Sequence, residues 1–222
     1  MQLFRLDASI NHDGSASRAI GDIVEAEWRA AHPDGTVRGR DLGAEPLPAD
    51  AWPAAVKAAR IPEEARTERQ RESRALAREL AAELRSADAV LATVPLYNFG
   101  VAQHVKVWID LVIAGAEASN ERLLDGKPVV LTVVRGGSYG PGTPRDGWDH
   151  STGYLRRIFA DVWGADLTVV EREFTLVGVN PALDQFTDLA AQLKDAAHAA
   201  ARDAGRALAQ GSRFAATVAP SS

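Results

Sequence analysis

The sequence predicts a doubly wound α/β fold on three observations. Short apolar runs of strand length alternate with longer segments of helical spacing. The run at residues 87–94 is apolar almost throughout, which is typical of a strand covered on both faces of a parallel sheet. Loops with unusual side chains follow three of the runs. We therefore expect a five-stranded parallel sheet in the strand order 2-1-3-4-5.

The elements can be assigned in chain order. The five strands are expected at residues 2–6, 36–42, 87–94, 129–134 and 167–172. The helices are expected after Ser17 and at residues 62–85, 101–115, 149–163 and 181–210, the last with a packing stripe of Phe186, Leu189, Leu193, Ala197 and Leu208. Pro95 is expected to end strand three because proline has no N–H to donate. Three prolines between residues 46 and 53 indicate a connection without regular structure.

The helix predicted at residues 101–115 is apolar nearly all round. Its apolar residues fall on two faces, Val101, Val105, Trp108 and Val112 on one, and Val107 and Leu111 on the other. A helix of this kind needs two covered sides. One face can pack on its own sheet, so we expect the other to pack on a second copy of the chain in a homodimer.

Composition narrows the class of protein. With 222 residues and 46% hydrophobic composition, the chain can form one full core, so we expect a single domain at residues 1–210 and a flexible tail at 211–222. The net charge of −5 argues against a nucleic-acid or anionic-membrane surface. The lack of cysteine excludes disulfides, thiolate metal sites and cysteine nucleophiles.

Targeting and metal signals are also missing from the sequence. No run approaches the roughly 18 apolar residues of a membrane span, and the first residues do not form a signal peptide, so we expect a soluble cytoplasmic protein. The five histidines show no metal-binding spacing, and no metal is expected.

Three strand-end loops carry the candidate functional residues. The loop after strand one contains Ser9, Ser15 and Ser17 just before a helix, where hydroxyl and N–H groups suit a phosphate, although these residues can equally serve only as helix caps. Residues 95–100 follow strand three. The glycine-dense loop at 135–142 follows strand four and is either a close-approach surface or a flexible loop. In the expected strand order these loops are neighbours and meet in one crevice.

The residues after strand three resemble a known family. The segment Pro95-Leu96-Tyr97-Asn98-Phe99, followed by Lys106, Trp108 and Asp110-Leu111-Val112, is similar to the FMN-dependent NADH-azoreductases, also described as NADH:quinone oxidoreductases. The serines before the first helix, the Arg-Asp-Leu at residues 40–42 and the Arg-Gly-Gly at 135–137 support the resemblance. It implies a flavodoxin-like fold, a homodimer, one non-covalent FMN per site, and NADH or NADPH as electron donor.

The resemblance also assigns roles to residues. It implies that Ser9, Ser15, Ala16 and Ser17 bind the phosphate, that Pro95, Leu96, Tyr97, Asn98 and Phe99 line the isoalloxazine, and that Val134, Arg135, Gly136 and Gly137 contact its far edge. Ala16 can contribute only its backbone N–H where the family often has a polar side chain. No acid or base side chain is expected, because the flavin carries the chemistry.

The acceptor side departs from the family. Residues 115–127 are short and contain no aromatic residue, whereas family members carry a longer segment there. We therefore expect Tyr139 and Trp148, together with Asn98, to form the substrate pocket for a quinone or azo compound. The alternative is that Trp148 only anchors the next helix and Tyr139 is a solvated loop residue.

The sequence is compatible with two functions. The first is an FMN-dependent oxidoreductase with ping-pong kinetics, because donor and acceptor would share one flavin face. The second is a flavodoxin-like electron carrier that docks protein partners without nicotinamide chemistry.

Overall fold

A computed structural model describes residues 1–211 of the chain. Five parallel strands form one sheet: β1 (Gln2–Asp7), β2 (Thr36–Asp41), β3 (Ala89–Pro95), β4 (Pro128–Val134) and β5 (Asp166–Arg172). The order across the sheet is β2-β1-β3-β4-β5. The predicted fold class and strand order are confirmed. All seven residues of β3 are buried, as expected for a central strand covered on both faces.

Within residues 1–211, six α-helices cover the two faces of the sheet. They are α1 (Ala16–Ala31), α2 (Ala51–Ala58), α3 (Glu68–Ser86), α4 (Gln103–Gly115), α5 (Thr152–Arg156) and α6 (Thr187–Gln210). Helices α1 and α6 pack together on one face, over a core that includes Leu3, Leu91 and Val130. The other helices enclose a second core on the opposite face, which includes Phe4 and Leu131.

Helix α2 was not predicted, and α3 begins later than expected. Pro53 lies in the first turn of α2, where backbone N–H groups have no partner within the helix, so proline is tolerated there. Helix α3 starts at Glu68 because Thr67 forms a capping box with Gln70: the Thr67 hydroxyl accepts from the Gln70 N–H at 3.3 Å, and the Gln70 side chain accepts from the Thr67 N–H at 3.0 Å. Residues Glu63–Ala65 form only a 3₁₀ turn.

The two helices nearest the C-terminus are less regular than predicted. The segment expected as one helix at 149–163 is a short α5 followed by a π-helical turn at Arg157–Val162, in which the Trp163 N–H bonds to the Ile158 carbonyl at 2.9 Å. A 3₁₀ segment, Pro181–Phe186, precedes α6. Leu189 was expected in the packing stripe of this helix but is 42% exposed, because it faces a surface hollow instead of the sheet.

The second face of α4 is covered only in part within the chain, since Val107 is half-buried. Leu111 is fully buried in the same core cluster as Leu80 of α3. Helices α3 and α4 cross so closely that a Cβ added to Gly115 would lie 1.9 Å from the Ala77 carbonyl oxygen. The apolar character of Leu111 therefore does not require a second copy of the chain, while Val107 is half-buried and Ile113 is 45% exposed, and the homodimer stays a prediction.

Gly211 caps α6 in a left-handed conformation, and the rest of the predicted tail lies outside the described residues. Within residues 1–211, every helix is too short or too polar to cross a membrane.

Candidate functional site

The loops after β1, β3 and β4 meet at the carboxyl edge of the sheet, as the strand order predicts. Together with the loop after β5 they enclose a cleft of about 340 Å³. The cleft is lined by Ser9, Asn11, Gly14, Ser15, Ala16, Ser17, Pro95, Leu96, Tyr97, Val134, Gly136, Thr175, Leu176 and Val179. Most of the residues predicted to bind a cofactor are thus brought together, and none of the lining side chains is ionised.

One end of the cleft is the N-terminus of α1. Ser15 is the N-cap, and its hydroxyl accepts from the Arg18 N–H at 3.4 Å and lies 3.2 Å from the Ser17 hydroxyl. The N–H groups of Ala16 and Ser17 belong to the first turn and make no hydrogen bond within the described residues. Ser9, which is 3% exposed, lies across from them. Free N–H groups, hydroxyls and the positive end of a helix suit a phosphate group.

Arg18 holds this end of the cleft in shape. Its guanidinium donates to the carbonyl oxygens of Ser9 at 2.9 Å and Asn11 at 3.3 Å, and to the Asp41 carboxylate at 2.8 Å. The hydrogen bond to Asp41 raises the pKa of Arg18, so the guanidinium stays charged and remains bound to the loop. Arg18 therefore supports the serine loop instead of offering a free charge to a ligand.

The middle of the cleft is an apolar slot. Pro95, Leu96 and Val134 form its floor, and Leu96 is tied to β4 by its N–H, which donates to the Val134 carbonyl at 2.9 Å. The Tyr97 hydroxyl accepts from the Ile10 N–H at 3.2 Å and so connects this slot to the loop after β1. An apolar slot beside donors that suit a phosphate fits a flavin mononucleotide, whose ring is aromatic and whose tail is anionic.

Asn98 and Phe99 do not line the cleft. Both have a left-handed backbone, with φ of 49° and 67°, and the turn closes through the Gly100 N–H and the Tyr97 carbonyl at 3.0 Å. The turn sends Asn98 into a separate hollow that it shares with His104. It sends Phe99 outward. The expectation that residues 95–99 all face one ligand is therefore met only by the first three within this chain.

Phe99 joins a group of aromatic residues beside the cleft. Its ring centroid is 5.5 Å from that of Trp148 in an edge-on contact and 6.4 Å from that of Tyr139. The Arg145 guanidinium lies over both Phe99 and Tyr139, 5.8 and 5.6 Å from the ring centroids. Trp148 is 50% exposed, so it does not act as a buried anchor for the following helix. The two aromatic residues predicted for the substrate pocket thus lie together, while Asn98 lies apart from them.

The Arg135 side chain points away from the cleft. Its guanidinium, which is 8% exposed, donates to Asp149 at 2.7 Å, to Glu171 at 2.8 Å and to the Thr152 hydroxyl at 3.0 Å. Burial works against the charge on Arg135, but the two carboxylates outweigh burial and raise its pKa. Arg135 therefore attaches the glycine-rich loop to α5 and β5. The sequence does not reveal this role, because it shows only an arginine followed by two glycines.

The two adjacent glycines face different sides of the loop. Gly136 lines the cleft, where an added Cβ would lie 2.6 Å from a methyl carbon of Leu176. Gly137 lines a mainly apolar hollow of about 510 Å³ on the other side, with Phe174 and Leu189. Only Gly136 is therefore placed to contact a ligand in the cleft.

The loop after β5 was missed in the sequence. Thr175, Leu176 and Val179 line the cleft, and Leu176 and Val179 are 43% and 74% exposed. Thr175 is fixed by its N–H, which donates to the Arg135 carbonyl at 3.1 Å. The signal that would have found them is positional, since this loop also leaves the carboxyl edge of the sheet, next to the loop after β4.

Residues 116–127 lie at the opposite edge of the sheet. The Leu124 N–H donates to the Trp163 carbonyl at 2.8 Å, and Glu121 pairs with Arg85 at 2.8 Å. None of these residues lines the cleft. The segment therefore forms no part of the wall of this cleft within the described residues.

Comparison with known proteins agrees with this geometry. A family model described as the flavodoxin-like fold matches residues 1–204. The chain is 41% identical to an FMN-dependent NADH:quinone oxidoreductase of Frankia casuarinae, over 90% of this chain and 96% of that protein. It is 38% identical to a protein of the same name from Streptomyces avermitilis, over 96% and 99% of the two chains.

Solved structures show the same fold. An azoreductase from Bacillus anthracis superposes with a TM-score of 0.75 at 22% identity, covering 93% of this chain and 99% of that one. An FMN-dependent NADH-azoreductase of the same species, solved in complex with FMN, superposes with a TM-score of 0.69 at 17% identity, covering 94% and 99%.

Proposed function

Since this chain belongs to the flavodoxin-like fold family, we propose that it is an FMN-dependent NADH:quinone oxidoreductase that also reduces azo aromatic compounds. The observation that carries the proposal is the cleft itself, which has free N–H groups and serine hydroxyls at one end and an apolar slot at the other. Relatives about 40% identical along nearly the whole chain are named for this activity. When bound, FMN would accept a hydride from NADH and pass the electrons to the acceptor.

The phosphate of FMN would bind at the start of α1. The hydroxyls of Ser9, Ser15 and Ser17 and the N–H groups of Ala16 and Ser17 are its donors. Each charge-assisted hydrogen bond contributes roughly 1.5–3 kcal/mol. Because Ser17 is fully buried and Ser9 nearly so, these donors are already desolvated and need little rearrangement.

The isoalloxazine would occupy the apolar slot. Pro95, Leu96, Tyr97 and Val134 would contact the ring, with Gly136 at its far edge. Leu176 and Val179, both largely exposed, would cover part of the slot when the ring is present and so exclude water from it. The described residues lining the cleft carry no ionised side chain, so the protein would bind and orient the reactants without a dedicated acid or base.

The acceptor would bind beside the slot, against Phe99, Tyr139 and Trp148. Phe99 and Trp148 are exposed and Tyr139 is half-buried, and aromatic rings suit stacking on a quinone or an azo aromatic compound. Because this group lies on one side of the cleft, donor and acceptor would use the same region in turn. We therefore expect ping-pong kinetics, seen as parallel lines in double-reciprocal plots.

The proposal extends to assembly and location. Ile10, Phe99, Leu176 and Val179 form an exposed apolar rim around the cleft, which favours a homodimer that completes the site. We place the protein in the cytoplasm, where NADH or NADPH is available to it, and regard residues 1–210 as one FMN-binding domain.

One measurement separates this proposal from an electron carrier. The protein purified with or reconstituted with FMN should show flavin absorption, and NADH should bleach it anaerobically, with recovery when a quinone is added. A carrier would retain flavin but would not be reduced by NADH. If no FMN binds in titration, both functions are wrong.

A further inference from the structure

A second cavity lies on the other side of the serine loop. It has a volume of about 450 Å³ and runs from the start of α1 into the groove between α1 and α6. The cleft and this cavity share Gly14, Ser15, Ala16 and Thr175 as lining residues. None of the residues of the apolar slot borders it, so it is contiguous with the phosphate end of the cleft only.

The cavity collects positive charge from two elements. Arg172 at the end of β5 and Lys194 and His198 of α6 all line it. Within residues 1–211, neither Arg172 nor Lys194 forms an ion pair, whereas Arg5, Arg18, Arg40 and Arg135 each pair with a carboxylate. The Nε atom of Arg172 and the Nε2 atom of His198 are buried and have no hydrogen-bond partner in the described part of the chain. Buried polar groups without partners are rare and need an explanation.

The acidic groups nearby do not neutralise this cluster. Asp22 also lines the cavity, but its carboxylate is 2.7 Å from the Arg5 guanidinium. Burial and then the positive charges of Arg172, Lys194 and Arg202 lower the pKa of His198, and the opposing effect of Asp195 is smaller than each of these. Burial likewise lowers the pKa of Arg172. An anion in the cavity would relieve both the missing hydrogen bonds and the repulsion.

We propose that this cavity is a second anion site that binds a phosphate group, separate from the site of the FMN phosphate. The occupant would be held by Arg172 and Lys194 and would accept a hydrogen bond from His198, while the free N–H groups at the start of α1 serve the FMN phosphate. The volume exceeds what a single phosphate needs and lies in the range of small-molecule sites. The phosphate can therefore come from the free ion or from a nucleotide whose remainder lies in the groove.

The test is calorimetric titration of FMN-saturated protein with inorganic phosphate, with chloride keeping the ionic strength constant. We expect saturable binding with one phosphate per chain. The double variant Arg172→Gln/Lys194→Gln should weaken it by about tenfold or more, since two charge-assisted contacts are lost. The matched control is Lys57→Gln/Arg157→Gln, which removes the same charges from exposed positions on the other face of the sheet and should leave phosphate binding unchanged.

Further titrations identify whether the bound phosphate comes from the free ion or from a nucleotide. Adenosine monophosphate binding more tightly than phosphate would assign the site to a nucleotide, and equal affinity would assign it to the free ion. Lys194→Gln alone, at an exposed position, should still lower affinity for phosphate if the double variant does not fold.

The proposal is overturned by non-saturable binding, by equal affinity in the variants, or by phosphate that binds only flavin-free protein and is displaced by FMN. Repeating the titration without flavin keeps this outcome distinct from a failure of the proposed function.

Discussion

Replacing Arg135 by methionine tests whether this residue supports the site from behind instead of touching the ligand. Arg135 is 8% exposed and Asp149, its partner at 2.7 Å, is 12% exposed. Methionine fills a similar volume but leaves the Asp149 carboxylate buried without its counterion. Breaking a buried ion pair from one side costs about 3–5 kcal/mol.

The lower end of that range applies here. Asp149 keeps hydrogen bonds from the N–H groups of Ser151 and Thr152, both at 2.9 Å, and from the Thr152 hydroxyl at 2.6 Å. Glu171, the other partner, is 37% exposed and can turn to solvent. We therefore expect Arg135→Met to lower the free energy of unfolding by about 3 kcal/mol at pH 7. In a chain of this length that is a fall in Tm of roughly 6–12 °C.

The assay is urea unfolding of the flavin-free protein followed by circular dichroism. The control is Arg157→Met, which breaks an exposed pair with Asp161 and should change stability by less than about 0.5 kcal/mol. A loss below about 1 kcal/mol for Arg135→Met would refute the structural role of the buried pair, and a loss of FMN affinity without a loss of stability would return Arg135 to the cofactor site.

The same variant has a defined pH dependence. Burial acts to raise the pKa of Asp149, but hydrogen bonds from Thr152 and Ser151 and the Arg135 pair outweigh it, so the pKa is lowered. A lowered pKa contributes stability above the unfolded value, about 3.9, and that stability is lost as pH falls through the folded value. The gap between wild type and Arg135→Met should therefore narrow as pH falls and be smallest below the lowered pKa of Asp149 in the wild type, because only there is Asp149 protonated in both proteins.

The remaining predictions concern the cleft, the helix packing and the assembly. Ser15→Ala/Ser17→Ala should weaken FMN binding by about tenfold or more in a fluorescence titration, and unchanged affinity would place the phosphate elsewhere. Tyr139→Ala should retain FMN but slow the quinone half-reaction more than reduction by NADH in stopped-flow experiments, and an unaltered acceptor step would remove Tyr139 from the pocket. Gly115→Ala should lower the free energy of unfolding by about 1–3 kcal/mol in urea, since its Cβ meets the Ala77 carbonyl oxygen and α3 and α4 must separate. Sedimentation should show a dimer at micromolar concentration, and a monomer would contradict the proposed assembly.

The fold was predictable because its signals are local and strong. The run of buried apolar residues in β3 has no other stable place than the centre of a parallel sheet. The strand order then follows from few alternatives, since doubly wound sheets use a small set of topologies. Helix α2 was missed because Pro53 reads as a breaker unless its position in the first turn is known.

The site was predictable only for residues whose place in it follows from their position at the end of a strand. The serine loop and Pro95, Leu96 and Tyr97 lie in the cleft because they stand at or after the carboxyl end of a strand. Arg135 also directly follows a strand, yet its side chain turns into a charged network with partners 14 and 36 residues away in the chain. Long-range pairing of this kind leaves no periodic trace, so sequence spacing alone could not separate a supporting arginine from a ligand-binding one.

The turn at Asn98 and Phe99 adopts a backbone conformation that these residue types rarely take. Left-handed backbone at two consecutive residues other than glycine costs roughly 1–3 kcal/mol at each. The turn is held by the Gly100 N–H on the Tyr97 carbonyl and by the His150 N–H on the Phe99 carbonyl, at 3.0 and 2.9 Å. This strained turn directs Tyr97 into the cleft and Phe99 toward Trp148, so a single short loop serves both the flavin slot and the aromatic group proposed for the acceptor.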